Sequence, residues 1–95
     1  MKIYFDADGF ITFPDGSRYK GGLDSGIPEG EGKIIYTDKS EYEGDWKMGN
    51  SHGQGVLKFP DGSNYNGNWS KGRYHGKGAY HAKNGAKFEG DWSNG

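Results

Sequence analysis

The sequence repeats with a period of 23 residues, and this register restricts the chain to folds in which one small unit is stacked on the next. Each unit starts at an aromatic residue, and the four starting residues are Tyr19, Tyr42, Tyr65 and Phe88. Trp46 and Trp69 each follow the start of their unit at the same distance. His52 and His75 do the same further along the unit. A fixed period of this length, kept without insertions, indicates a repeat protein.

The register divides the 95 residues into units of a single domain. A half-unit at 1–18 comes first, repeats follow at 19–41, 42–64 and 65–87, and a trailing half-unit occupies 88–95. A chain of this length favours one domain. The first repeat departs from the others, because Leu23 replaces the tryptophan and Glu29 replaces the histidine.

Within each unit the pattern is that of β-strands. In YEGDW, at 42–46, Tyr42, Gly44 and Trp46 fall on one face of an extended chain and the two acidic residues fall on the other. The Pro-Asp-Gly sequence at 60–62 predicts a tight turn in which Gly62 takes a positive φ, and Gly85 has the same place in the last turn. We predict strands near 1–5, 10–13, 17–23, 32–36, 40–46, 55–59, 63–69, 78–82 and 86–92. Tight turns and longer glycine-rich loops join them alternately, giving an all-β meander of antiparallel hairpins.

The unit YEGDWKMGNSHGQGVLKFPDGSNYNGNW, at 42–69, closely resembles the MORN (membrane occupation and recognition nexus) repeat. The shared pattern is Tyr-x-Gly-x-Trp, a glycine-rich turn, His-Gly-x-Gly, and then an apolar strand and a turn. The resemblance covers nearly the whole chain. It implies an elongated, twisted, single-layer antiparallel sheet of successive hairpins, with a groove lined by the repeated aromatic residues. It also implies protein–protein interaction, self-association and, more weakly, phospholipid binding.

The repeated aromatic residues are the first candidates for a binding site. The candidate groove residues are Tyr19, Tyr42, Trp46, Tyr65, Trp69, Phe88 and Trp92. These rings either form a thin core, as buried aromatics usually do, or also floor a groove, since a single-layer sheet cannot cover both of its faces. Both readings can hold together.

The opposite face of the predicted strands is polar. Its residues are Lys20, Glu43, Asp45, Asn66, Asn68, Glu89 and Asp91. Charged side chains normally form a solvated surface. The alternative interpretation is an acidic contact strip for a basic partner.

The two repeated histidines raise the question of a metal site. His52 and His75 lie one repeat apart, about 9–10 Å on a sheet, whereas two ligands of one zinc ion each place a nitrogen about 2 Å from it. We therefore expect no metal. We predict that His52 and His75, with Gly62 and Gly85, stabilise turns.

Composition narrows the function further. Net charge is −1, there is no cysteine, and no basic run or long apolar segment is present. These features argue against nucleic-acid binding, a cysteine-based metal site and a membrane span. No signal peptide is recognisable at the start of the sequence, so we expect a cytoplasmic protein. No nucleophile–base pair is evident, and we expect neither a cofactor nor an enzyme.

The leading hypothesis is a protein–protein interaction module that binds a partner segment through the aromatic groove, as an adaptor or an inhibitor of that partner. The alternative is a self-assembly scaffold, a homodimer formed through the open edge of the last strand or through the groove. Phospholipid binding is a weaker third hypothesis, because the charge is near neutral.

Overall fold

The computed structural model describes residues 5–93, which form one antiparallel sheet of eight strands. The strands are β1 (Ile11–Thr12), β2 (Arg18–Asp24), β3 (Ile27–Ile35), β4 (Glu41–Lys47), β5 (Asn50–Lys58), β6 (Asn64–Ser70), β7 (Arg73–His81) and β8 (Lys87–Ser93). Each strand pairs with the strands before and after it in the chain, and the molecule measures 42 × 24 × 18 Å. The predicted all-β hairpin array is confirmed.

Tight turns built on Pro-Asp-Gly-Ser and related sequences join β1 to β2, β3 to β4, β5 to β6 and β7 to β8. In the turn after β5, Gly62 has a φ of +95° and its N–H donates to the carbonyl of Phe59 at 3.1 Å. Asp61 stabilises the turn, because its carboxylate accepts hydrogen bonds from both the backbone N–H and the hydroxyl of Ser63. Gly85 has a φ of +92° in the equivalent turn before β8.

The other hairpins turn over only two residues, and the predicted long glycine-rich loops are wrong. Met48 and Gly49, for example, have φ values of +51° and +84°, and β5 begins immediately after them at Asn50. Two consecutive residues with positive φ match the type I′ turn, whose twist suits a hairpin. His52 and His75 consequently lie inside β5 and β7 rather than in a loop.

A shift in the strand register absorbs the extra residues of each glycine-rich segment. Gly44 pairs with Gly55 and Trp46 pairs with Ser51, so β5 has two more residues than β4 between the same two pairs. The same irregularity occurs between β2 and β3 and between β6 and β7. The segments read as loops are therefore bulged strands.

The N-terminal part of the chain is only partly described. The predicted strand at 1–5 lies mostly outside the described residues, and its last residue, Phe5, forms an isolated antiparallel bridge with Ile11. Asp6 closes the following turn, because its carboxylate accepts from the backbone N–H groups of Asp8 and Phe10. This segment packs beside the first full repeat.

Candidate interaction surfaces

Tyrosine and tryptophan alternate along one face of the sheet in an unbroken row, which we call the aromatic ladder. Its members, in spatial order, are Tyr19, Trp46, Tyr42, Trp69, Tyr65 and Trp92. Successive ring centroids are 5.1–5.6 Å apart, and the ring planes meet at 81–90°. Edge-to-face packing at these distances is favourable for aromatic pairs beyond the area that they bury.

The polar atoms of the ladder are satisfied by the backbone. The indole Nε1 of Trp46 donates to the carbonyl of Gly32 at 2.9 Å, and Trp69 and Trp92 each donate to a glycine carbonyl at 3.0 Å. The Tyr42 hydroxyl donates to the carbonyl of Asp45 at 2.8 Å. Each tryptophan thus ties its own strand to the strand before it, and the ladder presents no free hydrogen-bonding group.

The tyrosine rings lie over glycines of the next strand. A Cβ atom on Gly55 would overlap the hydroxyl and ring of Tyr42, and Gly32 and Gly78 are restricted in the same way by the other two ladder tyrosines. A Cβ atom on Gly44 would instead overlap the backbone of Gly55. Gly55 therefore makes room for the ring of Tyr42.

Most of the predicted aromatic groove is buried. The buried members are Tyr19, Tyr42, Trp46, Tyr65 and Trp69. None of them is more than 5% exposed, Trp92 is half-buried, and Phe88 is 57% exposed. A small recess of about 240 Å³ lies beside these rings and touches Tyr42 and Trp69. Residues buried to this degree offer a partner little surface, so the ladder acts as the core of the molecule.

The larger groove lies on the opposite, polar face. Paired glycines cross the sheet from β2 to β8 in one line, which we call the glycine row: Gly21, Gly32, Gly44, Gly55, Gly67, Gly78 and Gly90. The first four of these glycines line a groove of about 630 Å³ together with polar residues that include Lys20, Glu43 and Asn66. A second groove, of about 770 Å³, continues over the last three glycines and shares Asn66 with the first.

The walls of this polar-face groove carry charges of both signs. Glu31 and Asp45 face each other as direct register partners in β3 and β4. Like charges directly opposite each other in a sheet are unfavourable. Nearby, Lys33 forms an ion pair with Glu41 at 3.1 Å. Acidic side chains therefore lie at the centre of the groove, close to lysines.

One ladder neighbour is absent from the sequence prediction. Tyr74 stacks on Tyr65, with ring centroids 3.9 Å apart and planes 8° from parallel, and it meets Trp69 and Trp92 edge to face. In the preceding repeat the equivalent residue is Ser51, so no repeated aromatic marks the position. The one sequence signal that could have identified Tyr74 is that it is an aromatic residue within a glycine-rich segment.

Ionisation at these surfaces follows burial and hydrogen bonding. Burial raises the pKa of Tyr19, Tyr42 and Tyr65, and the charge of Asp45 adds to the increase at Tyr42. The ladder hydroxyls therefore stay protonated at neutral pH and do not act as bases. In the turns, the hydrogen bonds from Ser63 lower the pKa of Asp61.

Comparison with known proteins places these features in a family. The model of the MORN repeat matches residues 19–41, 42–64 and 65–87, which make up most of the chain. The chain belongs to the MORN-repeat family. MORN repeats are generally modules for interaction with proteins or lipids. A search of curated proteins finds no match, and residues 5–93 contain no helix that is long and apolar enough to cross a membrane.

Proposed function

We propose that this MORN-repeat chain is a non-enzymatic module that binds a segment of a partner protein in its polar-face groove, as an adaptor or an inhibitor of that partner. The observation that carries the proposal is the difference in exposure between the two faces of the sheet. The aromatic ladder is buried to 5% exposure or less over five of its six members, whereas the opposite face has an open groove, and five of the seven glycines along its floor are at least partly exposed.

The dimensions of the groove suit an elongated ligand. Its first part runs from β2 to β6, which is about 19 Å at the usual spacing between strands. The second part continues to β8. A chain segment could lie across the strands over this length. A Cβ atom at Gly32, Gly55 or Gly78 would point to the tyrosine rings of the ladder face, so the backbone itself forms the floor of the polar-face groove at these positions. The carboxylates and amides of the walls would then bind polar groups of the segment.

A pair of matched variants tests the location of this site. Glu43→Arg combined with Asn66→Arg changes the charge and fills the groove at two exposed wall positions. Asp24→Arg combined with Met48→Arg makes the same change in net charge at two exposed residues at turns, outside the groove. Both variants should fold, as judged by thermal unfolding, because all four side chains are exposed.

The tagged chain is used to capture its partner from the native cell, and the captured proteins are identified by mass spectrometry. The groove variant should lose the partner that the wild type and the turn variant retain. A folded groove variant that still captures the same partner would refute the proposed location.

A second candidate function is self-association, and one observation favours it. Phe88 is 57% exposed, although the equivalent residues Tyr42 and Tyr65 are at most 1% exposed. An exposed apolar residue on an outer strand is a natural contact for another chain. Light scattering over a concentration series tests this directly, and a constant monomer mass at the highest concentration would exclude it.

A further inference from the structure

The part of the polar-face groove over β2, β3 and β4 contains two pairs of like charges. Lys20 and Lys33 are direct register partners in β2 and β3, and Glu31 and Asp45 are direct register partners in β3 and β4. All four side chains line the groove. Like charges directly opposite each other destabilise a sheet, so the free chain carries unfavourable electrostatic interactions at this place.

Elsewhere in the described sheet, directly paired charges are opposite in sign. These pairs are Lys33 with Glu43, Glu41 with Lys58, and Lys77 with Asp91. Within residues 5–93, Lys33 also forms an ion pair with Glu41, whereas Lys20, Glu31 and Asp45 take part in none. A local departure from a rule that the rest of a fold obeys is expected at a functional site. The like-charge pairs therefore indicate a ligand whose own charges compensate them.

The two pairs lie on opposite walls of the groove, with the glycine row between them. Lys33 and Glu31 are two residues apart on β3, so the walls are about 7 Å apart at the backbone. Along the groove, the centres of the two pairs are displaced by one strand spacing, about 4.8 Å. An extended chain directs successive side chains to opposite sides, with a rise of about 3.3 Å per residue. Two adjacent residues of such a chain can therefore reach the two pairs.

We propose that the groove binds an extended segment of a partner protein in which an acidic and a basic residue are adjacent. The acidic side chain lies between Lys20 and Lys33, and the basic side chain lies between Glu31 and Asp45. Beyond them the segment continues over an uncharged part of the groove, lined by Gln54, Val56 and Asn66. The inference rests on the proposed function and specifies the chemistry of the partner.

The stability of the free chain provides the first test. Glu31→Gln and Glu43→Gln each remove one negative charge from an exposed side chain of the same groove. Glu31→Gln should raise the midpoint of urea unfolding, because Glu31 faces Asp45, whereas Glu43→Gln should lower it, because Glu43 faces Lys33. Salt screens exposed charges and should reduce the difference. An equal fall in both variants would overturn the proposal, because Glu31 would then be compensated within the chain.

A random peptide library displayed on phage provides the second test. Peptides are selected on the wild-type chain, and those that Glu43→Arg with Asn66→Arg no longer binds are taken as groove ligands. These groove ligands should contain adjacent acidic and basic residues more often than the unselected library does.

Synthetic versions of the selected peptides then test the position of the basic residue. Replacing that residue by glutamine should weaken binding to the wild type several-fold and hardly change binding to Glu31→Gln with Asp45→Asn. Asparagine at position 45 still offers an oxygen to the backbone N–H of Gln54, which Asp45 accepts in the wild type. The matched control is Glu89→Gln with Asp91→Asn, at the β8 end of the groove, where the same replacement in the peptide should still weaken binding.

The possible results separate this inference from the proposed function. Groove ligands without an adjacent acidic and basic pair would overturn the inference and leave the proposed function standing. A library that yields no peptide sensitive to Glu43→Arg with Asn66→Arg would contradict both. If the dipeptide Glu-Arg or Arg-Glu bound as tightly as the selected peptides, the groove would be a site for small zwitterions, and the proposed segment would be wrong.

Discussion

At the scale of single residues, the fold depends on a contact between a ring and a glycine on the next strand. Tyr42 is 1% exposed because its ring lies on Gly55, and its hydroxyl reaches the carbonyl of Asp45. The same arrangement occurs in each repeat. The alternation of residues predicted that Tyr42 and Trp46 share a face, but it did not reveal which glycine their packing requires, because that depends on the pairing of β4 with β5.

Replacing this glycine should be costly. Gly55→Ala puts a Cβ atom where the Tyr42 ring lies, so the strand or the ring must move, and the free energy of unfolding should fall by about 3 kcal/mol. Urea denaturation measures the loss. The control is Gln54→Ala, a change at the exposed neighbouring position, which should cost less than about 0.5 kcal/mol. Equal stability of the two variants would contradict the ring–glycine contact.

At the scale of elements, the local sequence predicts the tight turns more accurately than it predicts the extent of the strands. The Pro-Asp-Gly signal predicted the turn that contains Gly62, and an Asp or Asn side chain accepts from the backbone N–H two residues later in each turn of this type. The glycine-rich segments misled the prediction, because glycine is common in loops. In β3, β5 and β7 one glycine of each segment (Gly32, Gly55 and Gly78) instead accommodates a tyrosine ring of the preceding strand, and no local pattern encodes that requirement.

One turn keeps a residue that its conformation disfavours. Lys39 has a φ of +79°, where the equivalent turns have Gly16, Gly62 and Gly85. Lys39→Gly should raise the free energy of unfolding by about 0.5–1 kcal/mol, because glycine adopts this conformation without steric cost. Lys83, two residues before Gly85 in the last turn, does not have a positive φ, so Lys83→Gly should not stabilise the protein. Urea denaturation distinguishes the two, and a loss of stability in Lys39→Gly would contradict the argument.

The turn aspartates should make the hairpins sensitive to acid. Hydrogen bonds from Ser17, Ser40 and Ser63 lower the pKa of Asp15, Asp38 and Asp61 from the usual value of 3.8. A pKa that is lower in the folded state gives stability that is present above the unfolded pKa and is lost as the pH falls through the folded pKa.

The thermal midpoint should therefore fall as the pH drops below about 4. The triple variant Asp15→Asn, Asp38→Asn, Asp61→Asn should show a smaller fall, since asparagine cannot be protonated there and Asn84 already closes the last turn. Thermal unfolding followed by circular dichroism at a series of pH values makes the comparison. An identical acid dependence in wild type and variant would refute this origin.

At the scale of the whole molecule, the two faces of the sheet differ: the aromatic face is buried and the polar face has an open groove. The repeat register predicted the array and its aromatic row, and the structure confirms the hairpin fold. Which face remains open could not be predicted, because the burial of Trp46 and Trp69 depends on contacts with tyrosines of neighbouring repeats. An open groove runs along the polar face, and we propose that the partner binds there.

Photo-cross-linking tests this placement most directly. A photo-reactive phenylalanine is introduced at Asn66, in the polar-face groove, and separately at Phe59, in the small recess beside the ladder. After capture of the partner and irradiation, the chain labelled at position 66 should be cross-linked to the partner and the chain labelled at position 59 should not. A cross-link at position 59 without one at position 66 would show that the partner binds the aromatic face, and would contradict the account.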